Sequence, residues 1–134
     1  ETNSGSNGYD IWLNGTKIEE AGEATSTGTM ATSPAQISTN GFTFAKRSNL
    51  NITYTYEGLI DEAAIWSSAL SESDVTALYN SGVPSDLTAL SPTHWYRMGD
   101  NDGSTGTTVT DQGSGGNDLT LVNGPAFSSD VPSA

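Results

Sequence analysis

Hydrophobic and polar residues alternate in several short segments with the period of two that is typical of β-strands. Residues 9–13 and 16–20 flank Asn14-Gly15, a dipeptide that tolerates the positive φ angles of a type I′ turn, so they predict a β-hairpin. Residues 41–45 and the longer run 54–66 predict two sandwich strands. Residues 21–40 are mainly Ser, Thr, Gly and Ala, and this favours a loop or weak edge strands.

One segment has the spacing of a helix. Ser71 and Asp74 resemble a capping box, Val75 and Leu78 follow at helical spacing, and Gly82 predicts the end of the helix. The sequence therefore predicts one short helix near residues 72–80.

The second half of the chain again has strand patterns. Pro84 and Pro92 bracket a connector, after which residues 93–98, 107–110, 119–123 and, with a weaker pattern, 126–131 predict strands. Many short strands without βαβ alternation indicate an all-β fold, and specifically an antiparallel jelly-roll β-sandwich.

Charge and cysteine content exclude several classes of function. The chain has 134 residues, with 16 acidic against 4 basic side chains and a net charge of −12. Nucleic acids and anionic membranes are bound by clustered Lys and Arg, so we expect no nucleic-acid partner. No apolar run approaches the roughly 20 residues of a membrane span, so we expect no membrane insertion. The absence of cysteine excludes disulfides and thiol chemistry.

Two segments resemble one known family. Residues 57–79, EGLIDEAAIWSSALSESDVTALY, resemble the closing segment of a laminin G-like, concanavalin A-type jelly roll, with its Gly-x-Ile-Asp-Glu, apolar strand, Leu-Ser and short helix. Residues 11–17, IWLNGTK, are similar to a hairpin of the same family. WYRMGD at 95–100 and residues 107–121 resemble the family's opening strands, which here follow the closing ones.

This order is that of a circular permutation, or of one module's end joined to the next module's beginning. It implies three parts: residues 1–84 as the C-terminal part of a laminin G-like sandwich whose N-terminal portion is missing, 85–92 as a connector, and 93–134 as opening strands. In such jelly rolls the first and last strands share a sheet. Residues 95–98 are therefore expected to pair beside residues 59–66, either within one chain or with a neighbouring chain.

Acidic and amide side chains cluster in two loops. Asp100-Asn101-Asp102-Gly103 and the group Asp111, Asn117 and Asp118 offer the oxygen ligands that hard cations prefer. The family resemblance implies one structural Ca²⁺ held by Asp111, Asn117 and Asp118 and shared with Asp61. The alternative is that these residues only form turns, in which Asp, Asn and Gly are also common.

A sugar site would need an aromatic platform and planar polar groups. Tyr54 and Tyr56 beside Asn49 and Asn51 are the candidate ligand-binding residues, and Trp95 and Tyr96 could add further rings. The alternative is that most aromatics are core, because the Trp residues lie in strand patterns: Trp12, Trp66 and Trp95.

Residues for catalysis are scarce. His94 is the single histidine and is interpreted as a strand or surface residue, since no Ser-His-Asp spacing surrounds it. Asp61 and Glu62 are adjacent on a predicted strand and would point to opposite faces, so they cannot act as a facing glycosidase pair. We therefore expect no enzymatic activity.

These observations predict a non-catalytic structural or adhesive module of a virion or other extracellular surface. Phage proteins with laminin G-like modules are similar, which implies a capsid decoration protein or tail fibre. Its partners would be copies of itself, other virion or surface proteins, or cell-surface glycans. The alternative is a carbohydrate-binding, lectin-like module of a secreted adhesin or glycan-processing enzyme.

Overall fold

A computed structural model describes residues 10–18, 43–44, 56–100 and 103–130. These residues form three small antiparallel sheets of two strands each, and one short helix. Within these residues, small antiparallel sheets with one short α-helix agree with the all-β expectation. The elements in chain order are β1 (Trp12–Leu13), β2 (Thr16–Lys17), β3 (Ala63–Ile65), α1 (Glu72–Tyr79), β4 (His94–Tyr96), β5 (Thr108–Val109) and β6 (Leu119–Thr120).

The hairpin of β1 and β2 has the predicted two-residue turn. Asn14 and Gly15 have φ angles of 50° and 72°, as a type I′ turn requires. Trp12 pairs with Lys17 across the hairpin. A Cβ atom added to Gly15 would lie 2.7 Å from Cδ1 of Tyr79, so the turn packs closely against the end of α1.

Helix α1 begins and ends with local signals. The Oγ of Ser71 accepts a hydrogen bond from the backbone N–H of Asp74 at 3.2 Å, and the Asp74 carboxylate accepts one from the N–H of Ser71, which completes the predicted capping box. The helix ends at Asn80, whose φ of 39° is left-handed, and a 3₁₀ turn over Asn80–Gly82 follows.

Strands β3 and β4 pair within one chain. Ala63, Ala64 and Ile65 lie opposite Tyr96, Trp95 and His94 in antiparallel register. The N–H of Thr93 donates to the carbonyl of Ile65 at 2.8 Å and extends the pairing by one bond. The segment that resembles family opening strands thus lies directly beside the segment that resembles the closing strand.

The core of the described part is small and centres on β4. Four hydrophobic residues are buried: Leu87, Trp95, Tyr96 and Val109. The expectation that the tryptophans form the core is correct for Trp95, whereas Trp12 and Trp66 are half-buried. The indole N–H of Trp66 donates to the carbonyl of Leu90 at 2.9 Å and ties the connector to the end of β3.

Several strands are shorter than predicted. In the described part of the run 54–66, residues 56–66, only Ala63–Ile65 is a strand, because Glu62 has a φ of 49° and leaves the extended region. β6 ends before Asn123, whose φ is 67°, and residues 126–130 form no strand. Thr43 and Phe44 also lie outside strands, while residues 21–40, the rest of 41–45 and residues 54–55 and 131 lie outside the described residues.

We expect the substitution Ser71→Ala to lower the free energy of unfolding by about 1 kcal/mol, because it removes the oxygen that caps α1. Ser67→Ala, at an exposed position before the helix, is the matched control and should change it by less than about 0.5 kcal/mol. Urea denaturation followed by circular dichroism measures both. Equal losses in the two variants would contradict the role of the cap.

Candidate functional site

The most enclosed polar group of the described chain is the carboxylate of Asp111, whose side chain is 0% exposed. Asp111 follows β5 and forms an antiparallel bridge with Tyr96 of β4. It begins the Asp111 loop, residues 111–118, which folds back onto the start of β4. The N–H of Gln112 donates to the carbonyl of Trp95 at 2.8 Å, and the N–H of Gly115 donates to that of Thr93 at 2.7 Å.

Two glycines allow this close approach. A Cβ atom at Gly113 would lie 2.5 Å from the carbonyl oxygen of Thr93 and 2.7 Å from Cα of His94. A Cβ atom at Gly115 would lie 2.7 Å from Nδ1 of His94. A side chain at either position would therefore push the loop away from β4.

The Asp111 carboxylate accepts four hydrogen bonds. Oδ1 accepts from the backbone N–H groups of Trp95 and Gly113, both at 2.9 Å. Oδ2 accepts from Nδ1 of His94 at 2.6 Å and from the backbone N–H of Asn117 at 2.9 Å. Since an ionised carboxylate has about four acceptor positions, this one is fully used.

These bonds determine the protonation state of the site. Burial alone would raise the pKa of Asp111, but the hydrogen bonds from His94, Trp95, Asn117 and Gly113 outweigh it and lower the pKa to about 2. The carboxylate is therefore ionised at neutral pH and can only accept. It follows that Nδ1 of His94 carries the proton that it shares with Oδ2.

The rest of the loop is hydrogen-bonded around this carboxylate. Oδ1 of Asp118 accepts from the backbone N–H of Asp111 at 2.9 Å. The hydroxyl of Tyr96 donates to the carbonyl of Asn117 at 2.9 Å, and the rings of His94 and Tyr96 are stacked 6.2 Å apart. Burial, with the nearby carboxylates of Asp111 and Asp118, raises the pKa of Tyr96 and keeps its hydroxyl a donor.

A second polar cluster lies on the other side of β4. Glu62 accepts from the indole N–H of Trp95 at 2.6 Å and from Nε of Arg97 at 2.9 Å. The guanidinium of Arg97 stacks 5.0 Å from the Trp95 ring and also bonds Asp100 at 3.0 Å. The premise that Asp61 and Glu62 lie on a strand and point to opposite faces is wrong, because neither is in β3 and Glu62 is left-handed.

The structure brings together three of the four predicted calcium ligands. Asp111, Asn117 and Asp118 share one loop, as described above. Asp61 instead has Glu62, Asp100 and Arg97 as its charged neighbours, and burial, above all, raises its pKa. Among the described residues no group of three or more acidic or histidine side chains is placed to hold a metal ion, and Asn101 and Asp102 lie outside that part.

The hydrogen bonds that Asp111 accepts determine which side chains of this loop a metal ion could reach. All four lone-pair positions of Asp111 are filled by N–H groups, so the exposed side chains of Asn117 and Asp118 are the ones that a cation could reach from solvent. Calcium binding by this loop stays a prediction.

His94 is the functional group that sequence reasoning missed. Its position in a strand agrees with the expectation, but its pairing with Asp111 over 17 residues of sequence separation was not predicted. The sequence signal that could have indicated this pairing is Gly113 and Gly115, because glycines permit close contact between the loop and another strand. Three of the four donors to Asp111 are nevertheless backbone N–H groups, so this carboxylate chiefly fixes the chain.

The predicted sugar-binding residues are only partly described. Tyr56 is 57% exposed and its hydroxyl donates to the carbonyl of Leu59 at 3.2 Å. Tyr54, Asn49 and Asn51 lie outside the described residues. Trp95 and Tyr96 are core residues, 6% and 3% exposed, and are too enclosed to act as a platform.

Comparison of the chain with family models, with curated proteins and with solved structures finds no match. The laminin G-like resemblance therefore stays a prediction. Within the described residues, no helix has the length and apolar character that crossing a membrane would need.

We expect Asp111→Asn to lower the free energy of unfolding by about 3 kcal/mol, because the new amide directs N–H groups at donors that are already buried. Asp118→Asn is the matched control: it keeps an oxygen that can accept from the N–H of Asp111, and should cost less than about 1 kcal/mol. Urea denaturation compares them. A smaller loss for Asp111→Asn than for Asp118→Asn would contradict the central role of Asp111.

The lowered pKa predicts acid sensitivity. Because the pKa of Asp111 falls from 3.8 to about 2 on folding, its ionised form stabilises the fold above pH 4. That contribution, on the order of 2 kcal/mol, is lost as the pH falls from about 4 to 2. A titration of the side-chain carboxyl carbon by NMR measures the pKa directly, and a midpoint near 4 would contradict this account.

Proposed function

We propose that this chain is a non-catalytic, laminin G-like jelly-roll module of a virion or other extracellular surface, as in a phage capsid decoration protein or tail fibre, and that it assembles through strand edges. The observation that carries the proposal is the position of β3, which has β4 on one edge and, among the described residues, no strand on the other. The next paragraphs give the support for each part.

The hydrogen bonds of Trp95 indicate which backbone groups of β3 lie on the edge away from β4. Its N–H and carbonyl bond to Asp111 and Gln112, away from β3. Backbone groups alternate in direction along an antiparallel strand, so the groups of Ala64, opposite Trp95, lie on the outer edge of β3. No strand of the described residues pairs with that edge. An unpaired edge is a template for a strand of another chain.

The roles of the polar side chains support a structural rather than a catalytic protein. Asp111 and Glu62 accept bonds from backbone, indole and guanidinium groups of their own chain, and these bonds connect distant segments. A carboxylate saturated in this way is a poor acid, base or nucleophile for an external substrate. The net charge of −12 suits an exposed surface protein, because it favours solubility.

Sedimentation of the full chain at several concentrations tests the assembly. We expect association beyond the 13.9 kDa monomer that grows with concentration. Ala64→Pro removes the outer-edge N–H and should yield monomers, while Ala64→Val retains that N–H and should associate as the unsubstituted chain does. A monomer at every concentration would overturn the proposal, and undiminished association of Ala64→Pro would overturn the role of the β3 edge.

The second candidate is a carbohydrate-binding module. The exposed ring of Tyr56 favours it, because an accessible aromatic face can stack on a sugar. Specific glycan binding by an isolated monomer, for example on a glycan array, would support this candidate over assembly.

A further inference from the structure

An open cavity of about 400 Å³ lies between the hairpin, β3 and the start of α1. This volume lies within the range of about 300–1,000 Å³ that is usual for small-molecule sites. Its walls combine two indole rings, two carboxylates and aliphatic side chains. The lining includes Trp12, Trp66, Asp10, Glu72, Leu70 and Val75.

Two indole rings line the cavity. Both rings are half-buried, so each keeps a part of its surface accessible. The orientation of Trp66 is fixed by the 2.9 Å bond from its N–H to the carbonyl of Leu90. The backbone of Trp12 is held opposite Lys17 in the hairpin register. An aromatic ring on an ordered backbone can stack on the C–H face of a sugar.

The two carboxylates that line the cavity are acceptors, and Lys17, which lies outside the lining, is a donor beside them. Nζ of Lys17 lies 3.0 Å from the carboxylate of Asp10 and 3.9 Å from that of Glu72. The carboxylates can accept hydrogen bonds from hydroxyl groups, and the ammonium group can donate to them. A ring that carries several hydroxyl groups needs both kinds of partner beside an apolar face.

The charged side chains at the cavity favour a neutral ligand over a charged one. Two carboxylates and the net charge of −12 oppose an anion. A cationic ligand would have to displace the ammonium group of Lys17 from Asp10, with which it already forms an ion pair. A neutral polyhydroxylated ring can use these groups without displacing either charge.

We propose that this cavity binds a neutral saccharide ring, with Trp12 as the stacking platform and Asp10 and Glu72 as hydroxyl acceptors. The proposal rests on the carbohydrate-binding candidate above, and places the ligand at the hairpin rather than at Tyr56. It does not require assembly through the edge of β3.

The three indole N–H signals in a ¹⁵N–¹H NMR spectrum provide the test. The full chain is titrated separately with glucose, galactose, mannose and N-acetylglucosamine. At least one of them should shift the signals of Trp12 and Trp66 with a Kd in the millimolar range, about −4 kcal/mol as a binding free energy. Trp95 is the internal control, because its ring is buried and its N–H is bonded to Glu62.

Three variants test whether the sugar binds in the cavity. Trp12→Ala should weaken binding at least about tenfold, and Trp12→Phe should weaken it less because it keeps an aromatic face. Tyr56→Ala, on a different exposed ring, should leave the affinity unchanged. An unchanged Trp95 signal in each variant verifies that β4 is still packed.

The possible results distinguish a failure of the proposed cavity site from a failure of the carbohydrate-binding candidate on which it rests. Sugar binding that is lost in Tyr56→Ala and retained in Trp12→Ala would overturn the cavity and leave the carbohydrate-binding candidate standing. A concentration of about 50 mM is well above a millimolar Kd, so the absence of any shift with all four sugars would overturn the cavity as a site for them. If a glycan array also showed no binding, the carbohydrate-binding candidate itself would be overturned. Equal shifts of all three indoles would indicate a general solvent effect and would also overturn the proposal.

Discussion

The described fold depends on one buried carboxylate. Asp111 joins its own loop to a strand that is distant in sequence, because it bonds to His94 and Trp95 in β4 and to Gly113 and Asn117 in the loop. Burial of a charge is costly unless every acceptor position is used, and here four donors meet that requirement. The loop therefore has one favourable position on β4, and the bridge between Asp111 and Tyr96 follows from it.

A polar framework of this kind suits a chain with short strands. Four hydrophobic side chains form the buried core of the described residues, and two of them, Trp95 and Tyr96, are themselves hydrogen-bonded to acidic or loop partners. Glu62 receives the indole of Trp95 on one side of β4, and Asp111 receives its backbone N–H on the other. The acidic residues thus have a structural use that a count of net charge does not reveal.

Local signals in the sequence were sufficient for the hairpin and the helix. Asn14-Gly15 selects a turn by its backbone preferences, and Ser71 with Asp74 caps a helix within four residues, so neither depends on distant contacts. The β3–β4 pairing was one of two alternatives, because a strand pattern does not specify whether the partner belongs to the same chain. The role of Asp111 could not be predicted, since an Asp, Asn and Gly loop has the same composition whether its oxygens face a cation or backbone N–H groups. What decides between them is the approach of β4, a long-range contact.

Ala64 is part of both the proposed assembly edge and the proposed saccharide site. Ala64 places its backbone groups on the outer edge of β3, and it also lines the cavity beside Trp12 and Trp66. A strand added at that edge would lie about 4.8 Å from β3 and would thus come close to the rim of the cavity. Assembly and saccharide binding would then be coupled through β3, and the sign of the coupling would depend on whether the added strand narrows the cavity or deepens it. By linkage, a sugar that strengthens assembly must itself be bound more tightly by the assembled form.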